Sequence, residues 1–305
     1  MLAAALVAFL LPGPWPWRQH GPSVPAVPAA GRLYLGVDSS HNALAGYEAA
    51  TGIAQPAILG GYTVGTDGAV IGVLSSVSGL PGTIPLVSWG VDLRGGAVAS
   101  GAKDAYLREQ AKAVVRFGKP VFIRLDWEMN GSWYPQWSAP AVGPSAYIAA
   151  WRHVVDVFRQ AGASNAAFVW CPNDGEFDAG PWTRWYPGDA YVDWVGLDTY
   201  IQPSNQAAEV SGAGGLDDLA GLAARSGKPA MLAEWAPGAP SQDPAATFDA
   251  VFAWAERNPA AAKALVYFNY GSEQRDDLLA DDPVGAARFR DFVARHRSAL
   301  MRPGD

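Results

Sequence analysis

The sequence contains one cysteine, Cys171, among 305 residues. A single cysteine excludes an intrachain disulfide, a zinc cluster of cysteines and a CxxC redox pair. Charged residues are also scarce, at 17% of the chain against 50% hydrophobic residues. This balance excludes disorder as the general state, and the length suits one large domain or two of about 150 residues.

Basic residues are outnumbered by acidic ones, and the formal net charge is -7. An acidic chain does not attract nucleic acid or anionic membranes, so neither is expected as a partner. No sequence feature implies a protein partner, and we expect a monomer. The HExxH motif and clustered His, Cys and carboxylate ligands are absent, so the sequence predicts neither a metal nor a cofactor.

The N-terminal segment differs from the rest of the chain. Met1–Leu11 is an uninterrupted apolar run, shorter than the roughly 20 residues that span a bilayer but within the roughly 7–15 of a signal-peptide core. No Lys or Arg precedes it, which leaves an upstream start, an uncleaved anchor or a buried terminal helix as alternatives. We predict that residues 1–30 form a signal peptide or anchor with a proline-rich linker, and that the protein is secreted or extracellular.

Residues 31–305 alternate short apolar runs with amphipathic stretches. The predicted strands are Leu33–Asp38, Pro56–Tyr62, Ile84–Trp89, Pro120–Trp127, Ala166–Cys171, Tyr191–Tyr200, Pro229–Trp235 and Ala264–Tyr270. The predicted helices are Lys103–Phe117, Ser145–Ala161, Leu216–Ala224, Pro244–Glu256 and Pro283–His296. The first two crossovers, near residues 43–50 and 66–78, show weaker patterns.

Eight strands alternating with helices match an α/β fold of the (β/α)8 TIM-barrel type, which typically takes about 250 residues. A doubly wound open sheet is the alternative. It would carry a glycine-rich phosphate loop after the first strand, where this chain reads LYLGVDSS. We therefore predict a single barrel domain over residues 31–305.

Charged residues gather at the ends of the predicted strands, where a barrel places its active site. Arg124, Asp126 and Glu128 share one parity at the end of the fourth strand, and Glu234 ends the seventh. Two carboxylates that flank a glycosidic bond can hydrolyse it, one as proton donor and the other as nucleophile. The alternative is that both are ordinary glutamates, either on the surface or in structural ion pairs.

Other catalytic chemistries have little support. No histidine lies at the end of the fourth to eighth strands, so a Ser-His-Asp triad has no obvious base. His41 follows the first strand, and either a place near the site or a solvated loop would suit it. His153 lies in a predicted helix, and Cys171 on the fifth strand is expected to be a small buried hydrophobe.

The stretch RLDWEMNGSWYPQW at 124–137 resembles the motif around the acid/base of glycoside hydrolase family 26. The stretches at 147–173, 186–200 (YPGDAYVDWVGLDTY) and 228–235 (KPAMLAEW) extend the resemblance. The family belongs to the retaining (β/α)8 glycosidases, which carry catalytic glutamates on strands four and seven.

The resemblance implies roles for individual residues. Glu128 is the expected acid/base and Glu234 the expected nucleophile, supported by Arg124, Asp198 and Tyr200. Tyr200 resembles the tyrosine that hydrogen-bonds the nucleophile, and Asp198 its polar neighbour. Substrate contacts are expected from the aromatic and amide side chains near these carboxylates. They are Trp127, Asn130, Trp133, Trp170, Asn173 and Trp235.

The sequence departs from the family pattern at Trp127, where family mannanases usually have a histidine. The end of the eighth strand also lacks the Trp-Arg pair of some family mannanases. Two function classes follow. The first is a secreted endo-β-glycanase that acts on β-1,4-mannan, or alternatively on mixed-linkage β-glucan or β-1,3-xylan. The second is a catalytically silent carbohydrate-binding barrel.

Overall fold

The computed structural model describes residues 26–40, 42–64, 69–139, 141–177, 180–238, 243–271 and 277–305. Most of the predicted signal or anchor segment, residues 1–25, therefore lies outside the described residues, as does His41. No helix in the described part of the chain has both the length and the apolar character needed to cross a membrane. The predicted segment boundary at residue 30 stays a prediction.

Eight parallel strands form one closed sheet. They are β1 (Tyr34–Ser39), β2 (Ile58–Val64), β3 (Ile84–Gly90), β4 (Val121–Leu125), β5 (Ala166–Trp170), β6 (Trp194–Ile201), β7 (Ala230–Pro237) and β8 (Ala262–Asn269). Each strand pairs with the next, and β1 pairs with β8. This closure confirms the predicted (β/α)8 barrel over an open sheet.

The helices lie between the strands in sequence. They are α1 (Leu44–Thr51), α2 (Val70–Ser76), α3 (Asp104–Phe117), α4 (Pro144–Gln160), α5 (Gln206–Ser211), α6 (Leu216–Ser226), α7 (Pro244–Arg257) and α8 (Pro283–His296). Short 3-10 turns occur at Arg94–Gly96, Trp182–Trp185 and Leu279–Asp281. Helix α5 was not predicted, because none of its six residues is buried and the sequence therefore shows no apolar residues at helical spacing.

The strand residues are buried almost throughout, because one face packs inside the barrel and the other against the helices. Helix α3 shows how the outer layer is built. It buries Leu107, Ala111 and Val114 at helical spacing and ends at Gly118, whose φ of 69° is the left-handed conformation that glycine adopts readily. The barrel thus holds the C-terminal ends of all eight strands at one face.

The fourth and sixth strands differ from their predicted bounds. Strand β4 ends at Leu125, two residues before the predicted end, and β6 starts at Trp194, three residues after the predicted start. A register shift between Leu197 and Asp198 makes Asp198 the pairing partner of Glu234 on β7. These irregularities lie at the strand ends that build the site.

Candidate active site

Glu128 and Glu234 lie together at the C-terminal face of the barrel, although more than a hundred residues separate them in sequence. Their side chains are 5% and 4% exposed. One carboxylate oxygen from each, together with one from Asp198, forms a group whose members all lie within 4.8 Å of one another. This separation suits the retaining arrangement of about 5–5.5 Å between carboxyl groups far better than the inverting one of about 6.5–9.5 Å.

The backbone after β4 turns sharply to present Glu128. Asp126 and Glu128 have φ values of 43° and 52°, a left-handed conformation that costs free energy for residues with a Cβ. The Glu128 N–H donates to the Cys171 carbonyl oxygen at 2.8 Å, which anchors the turn to the end of β5. Strand alternation therefore stops at Leu125, and side-chain parity no longer applies beyond it.

The prediction that Asp126 shares a face with Arg124 and Glu128 is wrong for this reason. The Asp126 carboxylate accepts a hydrogen bond from the Val91 N–H at 2.6 Å and is fully buried away from the catalytic pair. Burial raises its pKa well above the ordinary value. Its role is to tie the β3 end to the β4 turn.

Glu128 is held by two neutral donors. The Trp133 indole N–H donates to Oε2 at 2.5 Å, and the Asn173 amide donates to Oε1 at 2.7 Å. Burial, with the nearby Glu234 charge, raises the pKa of Glu128 to about 7 against these donors, which lower it. A carboxyl group in this environment keeps its proton to near neutral pH, as a general acid requires.

Asn130 fixes Asn173 rather than facing solvent. The Asn130 amide donates to the Asn173 carbonyl oxygen at 2.8 Å and accepts from the Asn173 N–H at 2.9 Å. Asn130 is 1% exposed. Its predicted substrate contact is therefore replaced by a positioning contact, which aims the Asn173 side chain at Glu128.

Glu234 contrasts with Glu128 because it contacts a cation. The Arg124 guanidinium and the Tyr62 hydroxyl both donate to Oε1, the latter at 2.6 Å, and the Tyr200 hydroxyl donates to Oε2. The expected contacts of Arg124 and Tyr200 with Glu234 are thus present. Hydrogen bonds and a paired charge stabilise the ionised carboxylate, which is the form that can attack an anomeric carbon.

Arg124 itself is fully buried and fully engaged. Its Nη1 lies 2.8 Å from both carboxylate oxygens of Asp198, and its Nε donates to the Ser88 hydroxyl at 2.9 Å. The Arg124 guanidinium already places a positive charge among the three carboxylates, and this charge would repel a metal cation at the same place. Asp198 therefore holds Arg124 against Glu234.

Trp127 occupies the position of the family histidine and packs against Arg124. The Arg124 guanidinium carbon lies 5.1 Å from the Trp127 ring centroid, and the Tyr62 ring centroid lies 5.4 Å from the Trp127 centroid. The Trp127 indole donates to the Tyr134 hydroxyl at 3.1 Å, and its side chain is 2% exposed. This burial opposes the predicted sugar contact and makes Trp127 part of the wall behind Arg124.

The remaining predicted tryptophans separate clearly by exposure. Trp133 is 44% exposed beside Glu128 and can offer a face to a sugar. Trp170 and Trp235 are 0% exposed, so their predicted substrate contacts are corrected. Trp170 packs on Trp182 and Tyr186, and Trp235 packs on aromatic side chains of α7 and α8.

Two residues that contribute to the site were not predicted. Tyr62 ends the predicted second strand, so the strand-end criterion would have found it. Asp38, near the end of β1, is fully buried and accepts from the Tyr270 hydroxyl at 3.1 Å. Burial and the Glu234 charge raise the pKa of Asp38 to about 7.

The side chains weighed for other chemistries lie elsewhere or are buried. The Cys171 thiol is buried and lies 3.1 Å from Asp198 Oδ1, and burial raises its pKa well above the ordinary value, which opposes a thiolate nucleophile. His153 on α4 contacts Asp104 at 2.6 Å on the outer layer. Neither offers the catalytic pair a competing nucleophile or base.

Comparison with known proteins places this geometry in context. The profile of glycosyl hydrolase family 26 matches residues 97–237, which contain both glutamates. Endoglucanase H of Acetivibrio thermocellus is 35% identical over 142 residues, covering 41% of this chain and 15% of that protein. Beta-1,3-xylanase TXYA of a Vibrio species is 31% identical over 114 residues, covering 35% and 22%. The chain therefore aligns with less than a quarter of the length of either relative.

A solved structure of a Cellulomonas fimi endo-beta-1,4-mannanase double mutant superposes with a TM-score of 0.64. The two sequences are 20% identical, and the match covers 90% of this chain and 73% of the other. This likeness shows the fold. The profile match confirms the resemblance to glycosyl hydrolase family 26 over residues 97–237.

Proposed function

From this resemblance, we propose that the protein is a retaining endo-β-glycanase in which Glu128 is the acid/base and Glu234 the nucleophile. The observation that carries the proposal is the asymmetry of two adjacent buried carboxylates. Glu128 has neutral donors and a raised pKa, whereas Glu234 contacts the Arg124 guanidinium. Two carboxyl groups in such opposed environments are suited to donate a proton and to attack, respectively.

In the first step, Glu234 attacks the anomeric carbon while Glu128 protonates the departing glycosidic oxygen. The bond to the leaving sugar breaks, and a covalent glycosyl ester forms on Glu234. Tyr62, Tyr200 and Arg124 hold the nucleophile in place. Their contacts orient the carboxylate before substrate arrives.

In the second step, Glu128 acts as a base. Esterification removes the negative charge of Glu234, which is one of the causes that raise the pKa of Glu128. The pKa of Glu128 therefore falls in the intermediate, and the carboxylate can take a proton from water. Water then attacks the anomeric carbon, the bond from that carbon to the Glu234 carboxylate breaks, and the sugar is released with its original anomeric configuration.

We propose β-1,4-mannan as the first substrate, because the motif resemblance is to family mannanases. Mixed-linkage β-glucan and β-1,3-xylan are the alternatives. The name of the Acetivibrio relative, an endoglucanase, supports a glucan, and that of the Vibrio relative, a beta-1,3-xylanase, supports a xylan. The replacement of the family histidine by Trp127 bears on this choice, because Trp127 packs against Arg124 beside the catalytic pair.

A catalytically silent carbohydrate-binding barrel is the second candidate. Its sequence support was the same replacement at Trp127. The structure favours activity over a silent barrel. The Trp127 indole packs against Arg124 and Trp137, and one carboxylate oxygen of Glu128 still lies within 4.8 Å of one of Glu234. An active glycanase therefore has stronger structural support than a silent carbohydrate-binding barrel.

A substrate panel tests this proposal. Reducing-sugar release from galactomannan, glucomannan, lichenan and β-1,3-xylan is measured beside retardation in gels that contain the same polysaccharides. We expect release from at least one substrate by the wild type and none by Glu234→Gln. Retardation without release by the wild type would support the silent barrel and contradict the enzyme.

Export is the part of the proposal that rests on sequence alone. The apolar run Met1–Leu11 supports a signal peptide or anchor. Fractionation of the expressed protein, followed by N-terminal sequencing of any exported form, tests it. We expect a mature chain that begins near residue 31, and retention of the whole chain inside the cell would contradict export.

A further inference from the structure

Asp38 is a buried carboxyl group that the two catalytic steps do not use. It is 0% exposed near the end of β1, close enough to Glu234 for the charge of Glu234 to act on it. The Tyr270 hydroxyl donates to Oδ1 at 3.1 Å, whereas Oδ2 has no hydrogen-bond partner among the described residues. A buried carboxylate oxygen without a donor costs free energy, so Oδ2 is the atom on which a proton is expected.

Gly60 on β2 makes room for the Asp38 carboxyl group. The two residues are paired across β1 and β2. A Cβ atom at position 60 would lie 2.6 Å from Asp38 Cγ and 2.7 Å from Oδ2, closer than non-bonded carbon and oxygen atoms approach. A side chain at this position would therefore displace the carboxyl group, so the wall of the site is shaped around Asp38.

The charges in the site leave Asp38 without an ion pair. Arg124 forms its ion pairs with two other carboxylates. In the described part of the chain, the charged and titratable groups that face Asp38 are Tyr62 on β2, Arg124 on β4, Glu234 on β7 and Tyr270 after β8. Burial and then the Glu234 charge raise the pKa of Asp38 to about 7, while the guanidinium and the two hydroxyl groups lower it. Below that pH, Asp38 carries a proton.

Tyr62 interacts with both carboxyl groups. Its hydroxyl donates to Glu234 Oε1 at 2.6 Å. The same hydroxyl can stabilise ionised Asp38, because hydrogen bonding by Tyr62 is one of the causes that lower the pKa of Asp38. A phenol has one hydrogen and cannot donate it to two carboxylates at once. The protonation state of Asp38 therefore determines whether Glu234 has a competitor for the Tyr62 hydrogen.

We propose that Asp38 is a positioning residue that, in its protonated form, directs the Tyr62 hydrogen to Glu234. Protonated Asp38 needs no donor from Tyr62 and can itself donate to the Tyr62 oxygen. Ionised Asp38 competes for the hydrogen, and Glu234 then loses one of the contacts that orient it for attack. The Asp38 proton takes no part in breaking the glycosidic bond. This inference rests on the proposed glycanase function and adds a second group to its pH dependence.

The test removes Glu128, whose own proton would otherwise shape the pH profile. In Glu128→Ala, an activated aryl glycoside of the sugar that the substrate panel selects needs no general acid. Release of the aryl alcohol in the first turnover then reports attack by Glu234. We expect its second-order rate constant to fall about tenfold as pH rises through about 7, the pKa of Asp38, which is the size of effect that loss of a hydrogen bond to a charged group produces.

Two conservative variants, each made in Glu128→Ala, locate the cause of this fall. Asp38→Asn should remove it, because the amide is neutral at every pH, can accept from Tyr270 and can donate to the Tyr62 oxygen. Its rate constant should stay near the low-pH value of the parent. Tyr62→Phe should be about tenfold slower at low pH and should also lack the fall near pH 7, because no hydrogen remains for the two carboxyl groups to share.

Asp126→Asn in the same background is the matched control. Asp126 is another buried aspartate at a strand end, but it accepts from the Val91 N–H away from the catalytic pair. The fall near pH 7 should persist in this variant.

Three results would overturn the role of Asp38 while leaving the glycanase proposal intact. They are a rate constant in Glu128→Ala that does not change with pH, a fall that persists in Asp38→Asn, and a fall that persists in Tyr62→Phe. A wild type inactive on every polysaccharide and aryl glycoside would instead overturn the glycanase proposal, and the role of Asp38 with it.

Discussion

A carboxylate oxygen of Glu128 lies within 4.8 Å of one of Glu234, but only Glu234 contacts the guanidinium of Arg124. The Glu128 carboxyl instead accepts from the neutral donors Trp133 and Asn173. This difference separates the roles of two chemically identical side chains, because a paired cation favours the ionised form and burial favours the neutral form.

The pH dependence of the first step should report the proton on Glu128. Its pKa is raised to about 7, so glycosylation should fall as pH rises through that value and the acid loses its proton. The Trp133 donor lowers this pKa because it stabilises the carboxylate. Trp133→Phe should therefore move the alkaline limb of kcat/KM to higher pH. A limb that moves to lower pH in this variant would contradict the assigned contact.

Glu128→Ala should separate the two catalytic steps. Loss of a general acid costs about 10²–10⁴-fold on the polysaccharide. An activated aryl glycoside needs no protonation, so it should still glycosylate Glu234, and the ester should accumulate because water lacks its base. Added azide should then speed turnover and yield a β-glycosyl azide. Turnover that azide leaves unchanged, with an accumulated ester, would count against Glu128 as the base.

Arg124→Met should destabilise the protein strongly. Asp198 and Glu234 would then be buried without their partner, and breaking a buried ion pair costs about 3–5 kcal/mol of unfolding free energy. The pKa of Asp198 is raised by burial and lowered by Arg124, so loss of the guanidinium would raise it further in the folded variant. The destabilisation should therefore be smaller near pH 4, where the unfolded chain also binds protons, and grow as pH rises from there toward the raised folded pKa of Asp198.

Urea unfolding at pH 4.5 and pH 7.5 checks the Arg124 prediction. Arg108→Met is a matched control, because Arg108 forms an exposed pair with Asp104 on α3 and such pairs contribute about 0–1 kcal/mol. Equal losses in the two variants would show that Arg124 carries no special electrostatic role.

Two tryptophans should respond in opposite ways to truncation. Trp235→Ala should cost about 3–5 kcal/mol of unfolding free energy, because the ring is fully buried among aromatic residues of α7 and α8. Trp133→Ala should change stability by less but reduce kcat/KM, since its ring is exposed beside Glu128. Thermal or urea unfolding with polysaccharide assays checks both, and a stable, catalytically impaired Trp235→Ala would contradict the assignment.

The barrel and the catalytic pair could be predicted because each follows from a local pattern. Alternating strands and helices indicated the fold, and charged residues at strand ends pointed to Glu128 and Glu234. Tyr62 obeys the same rule and was missed because a tyrosine at a strand end is also a common core residue. Its contact with Glu234 depends on the closure of β2 and β7 around the barrel.

The errors have two physical causes. Positive φ values at Asp126 and Glu128 end the strand alternation, so parity misplaced Asp126. Trp235 was grouped with the site because it follows Glu234 in sequence, although alternation along β7 points neighbouring side chains to opposite faces. Contacts such as Asn130 with Asn173 join separate loops and have no sequence pattern of their own.

The most direct measurement traps the covalent intermediate. The protein is treated with a 2-fluoro glycoside that carries an activated leaving group, built on the sugar that the substrate panel selects, and the modified peptide is mapped by mass spectrometry. We expect one label, on Glu234, in the wild type and in Glu128→Ala, and no label in Glu234→Gln. A label on Glu128 would reverse the two roles, and hydrolysis by Glu234→Gln, cleared of contamination and deamidation, would contradict the double-displacement mechanism.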